Sequence, residues 1–293
     1  MFELTANVPQ AQPVFDAATR VLGSDPRQWV ASAAPPQLYA NIYAQMLCCT
    51  QALAAWAALD LGQHAYEEDI VLAGYSVGEL ASWGCAGLLG STELLQLAMY
   101  RAHVMDAAAG LGTGLASVRG MSRSALETLC STYDCEIAII LSSDSFIVGG
   151  PRSQLQLLSQ QAPRLGAQRS SLLPVAIAAH TSALRTASES FEARLRAVCM
   201  ATSIAPGVRL LSGLDGEQVA NVDAGITKLA QQISQPVDWS ACLTTCQEAG
   251  VTRVLELGPG RALAGMAREA LPEVRCRSLD EFRTLEGVRD WLG

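Results

Sequence analysis

The sequence predicts an α/β fold with a large domain built around a parallel sheet and a smaller inserted subdomain. Helical segments alternate with short, continuous apolar runs such as residues 69–73, which are typical of strands buried on both faces. Between residues 114 and 179 the order changes to strand, helix, strand, strand, helix, strand, which is the ferredoxin-like arrangement. We therefore predict a large domain at 1–113 and 180–293 and a ferredoxin-like subdomain at 114–179.

The individual elements follow from the apolar periodicity. Before the subdomain, we predict helices over 9–22, 37–60, 80–86 and 91–109 and a buried strand over 69–73. Within it, the predicted strands are 115–118, 136–141, 146–148 and 171–178, and the predicted helices are 122–133 and 153–165. After it, we predict helices over 182–200, 226–233 and 240–249, strands over 209–212 and 253–257, and a final helix beyond 260.

Composition limits the classes of function. Half of the 293 residues are hydrophobic and 16% are charged, which is typical of a packed globular enzyme. The net charge of −8 argues against nucleic acid as a partner, because the chain has no basic stripe to displace counterions from phosphates. No apolar stretch approaches the roughly 18 residues of a membrane span. No secretory signal follows Met1, so we expect a cytoplasmic protein with no membrane contact.

The nine cysteines indicate no metal site. Their number is odd and no Cys-x-x-Cys pair occurs, which matches neither a disulfide framework nor a zinc site. We expect free thiols in a reducing compartment and predict no bound metal.

A candidate nucleophile lies in the pentapeptide Gly-Tyr-Ser-Val-Gly at 74–78, between a predicted strand and a predicted helix. A strand-to-helix turn this tight, as in α/β-hydrolase-like folds, strains Ser76 and leaves no room for a side chain at either neighbouring glycine. The hydroxyl then lies at a helix N-terminus, where the dipole and free N–H groups favour negative charge. The backbone N–H of Val77 is the predicted oxyanion donor. The alternative is an ordinary serine in a glycine-flanked turn.

A serine nucleophile needs a base, and the chain has three histidines. His64 lies in a polar loop, where we expect it to be solvated, and His103 lies on a helix, where a structural or surface role is expected. His180 follows the last strand of the subdomain, where the chain returns to the large domain beside a cleft. By elimination, His180 is the predicted base.

Arg101 is a further candidate. It lies on the predicted helix 91–109, which has an apolar face, and its planar guanidinium can bind a carboxylate through two hydrogen bonds. A salt bridge to a surface acid would explain the same residue, and the residues alone leave both interpretations open.

Together these features resemble the malonyl-CoA:acyl carrier protein transacylases and the related acyltransferase domains of fatty-acid and polyketide synthases. The resemblance extends from about Val14 to the final helix. The hexapeptide Gly-Tyr-Ser-Val-Gly-Glu at 74–79 is similar to the family's Gly-His-Ser-x-Gly-Glu. Arg101, the Gly-Thr-Gly at 112–114, the segment 174–180 that ends in a histidine, and the late Gly-Pro-Gly turn match further family motifs.

The resemblance implies a ping-pong acyl transfer. His180 would take the proton of Ser76, the serine would attack a coenzyme A thioester, and Arg101 would hold the free carboxylate of the malonyl group. The phosphopantetheine thiol of an acyl carrier protein would then collect the acyl group. The implied substrates are malonyl-CoA and the carrier protein, with no bound cofactor.

Three more residues obtain a role only through the resemblance. Ala44-Gln45 resembles a Thr-Gln pair near the family's cleft, which places Gln45 at the substrate. Tyr75 occupies the position of the family's histidine beside the nucleophile and would also contact substrate. In the family a backbone carbonyl orients the catalytic histidine, and the matching segment 235–239 assigns this carbonyl to Asp238.

The sequence departs from the family at its start. The family opens with a central strand and a Gly-Gln-Gly-x-Gln segment whose first glutamine is a second oxyanion donor. This sequence has no matching segment, since Gln10 and Gln12 fall in the region of the next helix. Either the start is truncated or the enzyme works with fewer donors, and a missing central strand would leave exposed sheet edges. Tyr75 and Ala179 also differ from the family, and both leave the exact acyl group open.

Three classes of function are compatible with these residues. The first is malonyl transfer to a carrier protein, by a stand-alone enzyme of fatty-acid synthesis, a trans-acting polyketide acyltransferase or the epsilon subunit of malonate decarboxylase. The second is a thioesterase or esterase that uses the same Ser76 and His180. The third is a degenerate carrier-protein binding module without the N-terminal oxyanion segment. Arg101 and the ferredoxin-like insert favour the first class.

Overall fold

The computed structural model of the chain describes residues 1–64 and 69–293. In these residues the helices are α1 (Gln12–Leu22), α2 (Pro26–Ser32), α3 (Pro35–Leu38), α4 (Asn41–Leu59), α5 (Leu61–His64), α6 (Val77–Cys85), α7 (Ser91–Ala108), α8 (Arg123–Thr132), α9 (Arg152–Gln161), α10 (Arg185–Arg196), α11 (Val222–Gln231), α12 (Trp239–Glu248), α13 (Ala262–Ala270) and α14 (Leu285–Leu292). The strands are β1 (Ile70–Leu72), β2 (Thr113–Arg119), β3 (Glu136–Ile140), β4 (Ser145–Pro151), β5 (Arg169–Leu172), β6 (Val208–Leu210), β7 (Val237–Asp238), β8 (Arg253–Glu256) and β9 (Arg275–Ser278). This mixture confirms the predicted α/β fold.

The predicted ferredoxin-like order of elements is present in the middle of the chain. Strands β5, β2, β4 and β3 lie side by side in that order, each antiparallel to its neighbour. Helices α8 and α9 contribute Leu126, Leu155 and Leu158 to a core that they share with this sheet. Strand β7 then extends the sheet by pairing parallel to β3, so the sheet includes a strand from beyond the insert. The domain division at 113/114 and 179/180 stays a prediction.

The parallel strands of the large domain form two separate pairs in the described part of the chain. Strand β1 pairs with β6, and β8 pairs with β9. Helix α4 packs near both pairs, since Leu72 belongs to the same core as α4, and Leu255 packs against the apolar cluster that includes Leu59. Ala73 and Val254 both pack against the apolar cluster of α12 and α13. Within residues 1–64 and 69–293, β1 and β8 each pair along one edge only, and exposure of the other edges stays a prediction.

The main core lies among the helices of the large domain. Phe15 of α1, Met46 of α4, Trp83 of α6 and Phe191 of α10 are fully buried in it. Helix α4 is by length and composition apolar enough to cross a membrane, but 67% of its most apolar 18-residue stretch is buried inside the protein. It is therefore a core helix, and it places Gln45 in the interior.

Among the predicted elements whose bounds differ from the structure, two lie next to the site. The predicted strand 171–178 ends as β5 at Leu172, because Pro174 has no N–H to donate to a neighbouring strand. The predicted helix 37–60 is divided into α3 and α4. Both changes affect the site, since residues 173–179 become an irregular segment that leads to His180, and α4 begins close to the cleft.

Candidate active site

The turn between β1 and α6 holds Ser76 in a strained conformation. Its φ of 53° and ψ of −119° lie outside the regions that a serine ordinarily adopts. Gly74 makes the turn possible, because a Cβ at this position would lie 2.1 Å from the Cα and backbone nitrogen of Glu79. Val77 is the first residue of α6, so its N–H has no acceptor within the helix. This position supports the prediction that Val77 is an oxyanion donor.

The prediction that both flanking glycines are sterically required is wrong at Gly78. A Cβ built on Gly78 meets no atom within 4 Å. The tight contact is confined to Gly74, because the chain turns back over that residue as α6 begins.

Ser76, His180 and a backbone carbonyl form a hydrogen-bonded chain. The Ser76 Oγ lies 2.9 Å from His180 Nε2, and His180 Nδ1 lies 2.5 Å from the carbonyl oxygen of Gln232. A carbonyl only accepts, so Nδ1 carries the hydrogen and Nε2 is free to accept the serine proton. His180 is held in turn by its own N–H, which donates to the carbonyl of Ile233 at 2.9 Å. Its φ of 62° is a second strained backbone at the site.

The assignment of the orienting carbonyl to Asp238 is therefore wrong. The carbonyl belongs to Gln232, six positions earlier in the chain. The Asp238 carboxylate instead accepts the N–H of Ala241 at 2.9 Å and caps α12. The Asp238 N–H donates to the carbonyl of Gly213, which fixes the start of the helix.

His180 is neutral at physiological pH. Burial, followed by the nearby charge of Arg101, lowers its pKa from 6.5 to about 4, and the Gln232 carbonyl opposes part of this shift. A neutral imidazole is the form that accepts a proton, so these surroundings are suited to a general base. His103 is exposed on α7, as predicted, whereas the side chain of His64 lies outside the described part of the structure.

Arg101 lies in the interior beside the nucleophile. It is 1% exposed, and its Nη2 donates to Ser76 Oγ at 3.3 Å and to Gln232 Oε1 at 3.0 Å. Its Nη1 donates to Gln45 Oε1 at 2.8 Å. All of these acceptors are neutral, and none of the ion pairs among residues 1–64 and 69–293 includes Arg101. This excludes the surface salt bridge as an explanation of Arg101.

Burial lowers the pKa of Arg101 to about 10, which still leaves the guanidinium charged at neutral pH. A buried cation without a counter-ion is costly. Its surroundings therefore favour an anionic ligand that can reach the guanidinium from the cleft.

Of the two other predicted substrate contacts, Gln45 lies against Arg101 and Tyr75 lies against Trp239. Gln45 is 6% exposed and fixes the Arg101 guanidinium, while its own Nε2 donates to Asn41 Oδ1 at 2.8 Å. The Tyr75 ring packs edge-on against Trp239, with ring centroids 5.6 Å apart, in an apolar cluster with Leu141. Burial raises the pKa of Tyr75. Substrate contacts by Tyr75 stay a prediction.

Sequence reasoning missed Gln232 as a site residue and noted Glu79 only as part of a motif. The Gln232 side chain is fully buried and joins Arg101 to Glu79, because its Nε2 donates to Glu79 Oε2. Glu79 also accepts the N–H of Gly213 at 2.9 Å. The position of Glu79, one turn into α6 from the nucleophile, was the only signal in the sequence.

Comparison with known proteins gives the same family as the resemblance of the sequence motifs. No family model matches the sequence. A relative from Mycobacterium tuberculosis, named malonyl CoA-acyl carrier protein transacylase, is 30% identical over 225 residues, 74% of this chain and 73% of the relative. The crystal structure of an acyl-carrier-protein S-malonyltransferase from Burkholderia pseudomallei has a TM-score of 0.88 at 25% identity, over 97% of this chain and 93% of that one.

A type II PKS acyl-carrier protein in complex with its malonyl-transacylase provides a second structural comparison. The match has a TM-score of 0.86 at 20% identity, over 96% of this chain and 91% of that one, and it shows a shared fold. The similarity to these proteins extends over both the large domain and the ferredoxin-like region. On the strength of the relative at 30% identity, the chain belongs to the malonyl CoA-acyl carrier protein transacylase family.

Proposed function

We propose that this protein transfers a malonyl group from coenzyme A to the phosphopantetheine thiol of an acyl carrier protein, through an acyl-enzyme on Ser76. The buried Arg101 carries the proposal. Among the described residues it is a cation with no carboxylate in hydrogen-bond contact, and its Nη2 lies 3.3 Å from the nucleophile oxygen. The free carboxylate of a malonyl ester is separated from the ester carbonyl by one methylene group. A malonyl group on Ser76 therefore brings a carboxylate within reach of the guanidinium.

The first half-reaction forms the acyl-enzyme. His180 Nε2 takes the proton of Ser76, and Oγ attacks the thioester carbonyl. The oxyanion of the tetrahedral intermediate develops at the N-terminus of α6, where the Val77 N–H can donate to it. The carbon–sulfur bond then breaks, and the departing thiolate of coenzyme A takes the proton from His180.

The second half-reaction reverses these steps with a new thiol. The phosphopantetheine thiol gives its proton to His180 and attacks the ester, and Ser76 leaves with that proton. Arg101 provides selectivity, because an acyl group without a carboxylate leaves the buried charge unpaired. Coenzyme A is a substrate in this scheme, and His180, Ser76 and Arg101 supply the chemistry. We also propose a cytoplasmic location, where soluble coenzyme A thioesters and carrier proteins would meet the enzyme.

Intact-protein mass spectrometry tests this proposal. Brief incubation with malonyl-CoA is expected to add the mass of one malonyl group, and Ser76→Ala is expected to abolish the gain. Addition of a carrier protein should then remove the group and leave it on the phosphopantetheine arm. Release as free malonate faster than transfer would indicate a hydrolase. A folded protein that binds a carrier protein but never gains mass would indicate a binding module.

A further inference from the structure

Glu79 is a fully buried carboxyl group close to the nucleophile. It lies in the first turn of α6 and has no solvent exposure. Its Oε2 accepts hydrogen bonds from the Gly213 N–H and from Gln232 Nε2. Its Oε1 has no hydrogen-bond partner among the described residues. The acyl-transfer steps above do not use this group, and burial of a carboxylate with one oxygen lacking a partner is costly.

A single amide side chain joins Glu79 to Arg101. Gln232 donates to the Glu79 carboxylate through Nε2 and accepts from Arg101 through Oε1. Its backbone carbonyl meanwhile accepts from His180. Among the described residues Arg101 has no direct ion pair, and Glu79 supplies a nearby negative charge across one hydrogen-bonded amide.

A bound malonyl group changes this balance. Its carboxylate would lie directly against Arg101, which places two buried anions beside one buried cation. Like charges at close range in the interior disfavour the ionisation of one of them. We propose that Glu79 takes up a proton when the malonyl carboxylate occupies Arg101, so that the acyl-enzyme keeps one buried cation and one buried anion. This inference rests on the proposed malonyl transfer.

The groups around Glu79 make this proton uptake feasible near neutral pH. Burial raises the pKa of Glu79 to about 7, against the lowering effects of Gly213, Gln232 and Arg101 and with a small further rise from Asp215. Other titratable groups of the described residues also face this region. His180 is neutral, and burial raises the pKa of the Cys242 and Cys49 thiols, so both stay protonated. A second anion beside Arg101 is then expected to raise the pKa of Glu79 further.

The transesterification itself balances without a solvent proton. Serine hydroxyl and thioester become ester and coenzyme A thiol, and the proton that leaves Ser76 ends on the coenzyme A sulfur. Any net uptake from solvent must therefore come from a group whose pKa changes on acylation. Net proton uptake on acylation is therefore a measurable signal that a purely structural role of Glu79 would not produce.

A pH-indicator dye in weakly buffered solution provides the test. The protein is mixed with malonyl-CoA, and the protons taken up are divided by the acyl-enzyme counted by mass spectrometry. With a pKa near 7, uptake is expected to be about half a proton per acyl-enzyme at pH 7 and to rise about tenfold between pH 6 and pH 8. Acetyl-CoA has the same phosphates but no acyl carboxylate, and it should give no corresponding uptake.

Glu79→Gln is the matched variant, because its amide oxygen can still accept from Gly213 and Gln232 but cannot take up a proton. Its proton uptake should be lost. If this variant fails to fold, infrared difference spectra of the unaltered protein replace it. Acylation by malonyl-CoA should then produce a protonated-carboxyl band that shifts in heavy water, whereas an ester band does not.

Two results would overturn the inference alone: an acyl-enzyme formed without proton uptake, or uptake that persists in Glu79→Gln. A protein that forms no acyl-enzyme would instead overturn the proposed function, and the inference would fall with it.

Discussion

Ser76 contacts two side chains with opposite charge requirements. His180 must be neutral to accept a proton, and Arg101 must be charged to hold a carboxylate. The charge of Arg101 contributes to the low pKa of His180, so the cation that would bind the acyl group also keeps the base unprotonated. Gln232 orients both residues, through its backbone carbonyl and its side chain respectively. Burial is the larger cause of the low His180 pKa, so loss of Arg101 leaves the base neutral and is expected to affect selectivity more than the ability to form an acyl-enzyme.

Arg101→Ala tests this selectivity. Loss of charge-assisted hydrogen bonds to the malonyl carboxylate, each worth about 2 kcal/mol, should reduce kcat/KM for malonyl-CoA at least about 100-fold. Acylation by acetyl-CoA, which has no carboxylate to lose, should fall much less. Arg101→Lys keeps the charge without the planar fork and should lie between the two. Equal losses for both acyl groups in a protein with unchanged melting temperature would remove Arg101 from the acyl site.

Sequence reasoning identified side chains more successfully than backbone groups. Ser76, His180 and Arg101 each need a particular side chain, and the structure brings all three within hydrogen-bond distance of one another or of shared partners. The backbone carbonyl that accepts the hydrogen bond from the His180 ring could belong to any residue type, so the sequence carries no direct signal for it. The assignment to Asp238 failed because only the path of the chain after α11 decides that Gln232 faces the imidazole.

The β1–α6 turn shows, at the scale of an element, that the sequence predicts a side chain better than the backbone around it. Its pentapeptide predicted a strained serine between a strand and a helix, and the φ of Ser76 confirms it. From the sequence the two flanking glycines cannot be told apart, whereas in the structure only Gly74 lies against the backbone of Glu79. Likewise, the apolar run after β5 resembled a strand, and only Pro174 marked its end.

The two glycines form a matched pair for an experiment. In Gly74→Ala the new Cβ would lie 2.1 Å from backbone atoms of Glu79, so the turn must shift, at a cost of about 3 kcal/mol or more. In Gly78→Ala the new Cβ meets no atom within 4 Å. This variant should be stabilised by up to about 1 kcal/mol, since alanine has a higher helix propensity than glycine. Urea unfolding and acylation assays on both variants would check this. A tolerated Gly74→Ala would show that the turn has an alternative conformation.

At the scale of the whole molecule, a net charge of −8 raises the question of how the protein would bind a carrier protein, since carrier proteins are usually acidic. Docking then requires a local basic surface. Arg119 and Arg123 pair with Glu269 and Glu127 respectively, which reduces their attraction for an acidic partner. Arg152 is exposed and takes part in none of the ion pairs found in the described residues.

Arg152 lies near Gly112 and Gly114, where the ferredoxin-like region begins. It opens α9, and its N–H donates to the carbonyl of Gly112 at 2.7 Å. A Cβ on Gly114 would lie 3.9 Å from the Arg152 guanidinium and 3.0 Å from the carbonyl oxygen of Val175, so the guanidinium and the segment that leads to His180 both lie close to Gly114. We expect this arginine to contact a carrier protein whose arm enters the site.

Reversal of this charge should weaken docking without affecting the chemistry. Starting from the preformed malonyl-enzyme, Arg152→Glu should lower the second-order rate of transfer to a carrier protein about tenfold at low salt, and less as salt screens the interaction. Transfer to free pantetheine, which has no acidic surface, should keep its rate. Arg123→Glu is the matched control, because it changes the net charge equally at a residue already paired with Glu127. If both variants slow transfer equally, overall charge governs the encounter; if pantetheine transfer slows as well, Arg152 acts on the site itself.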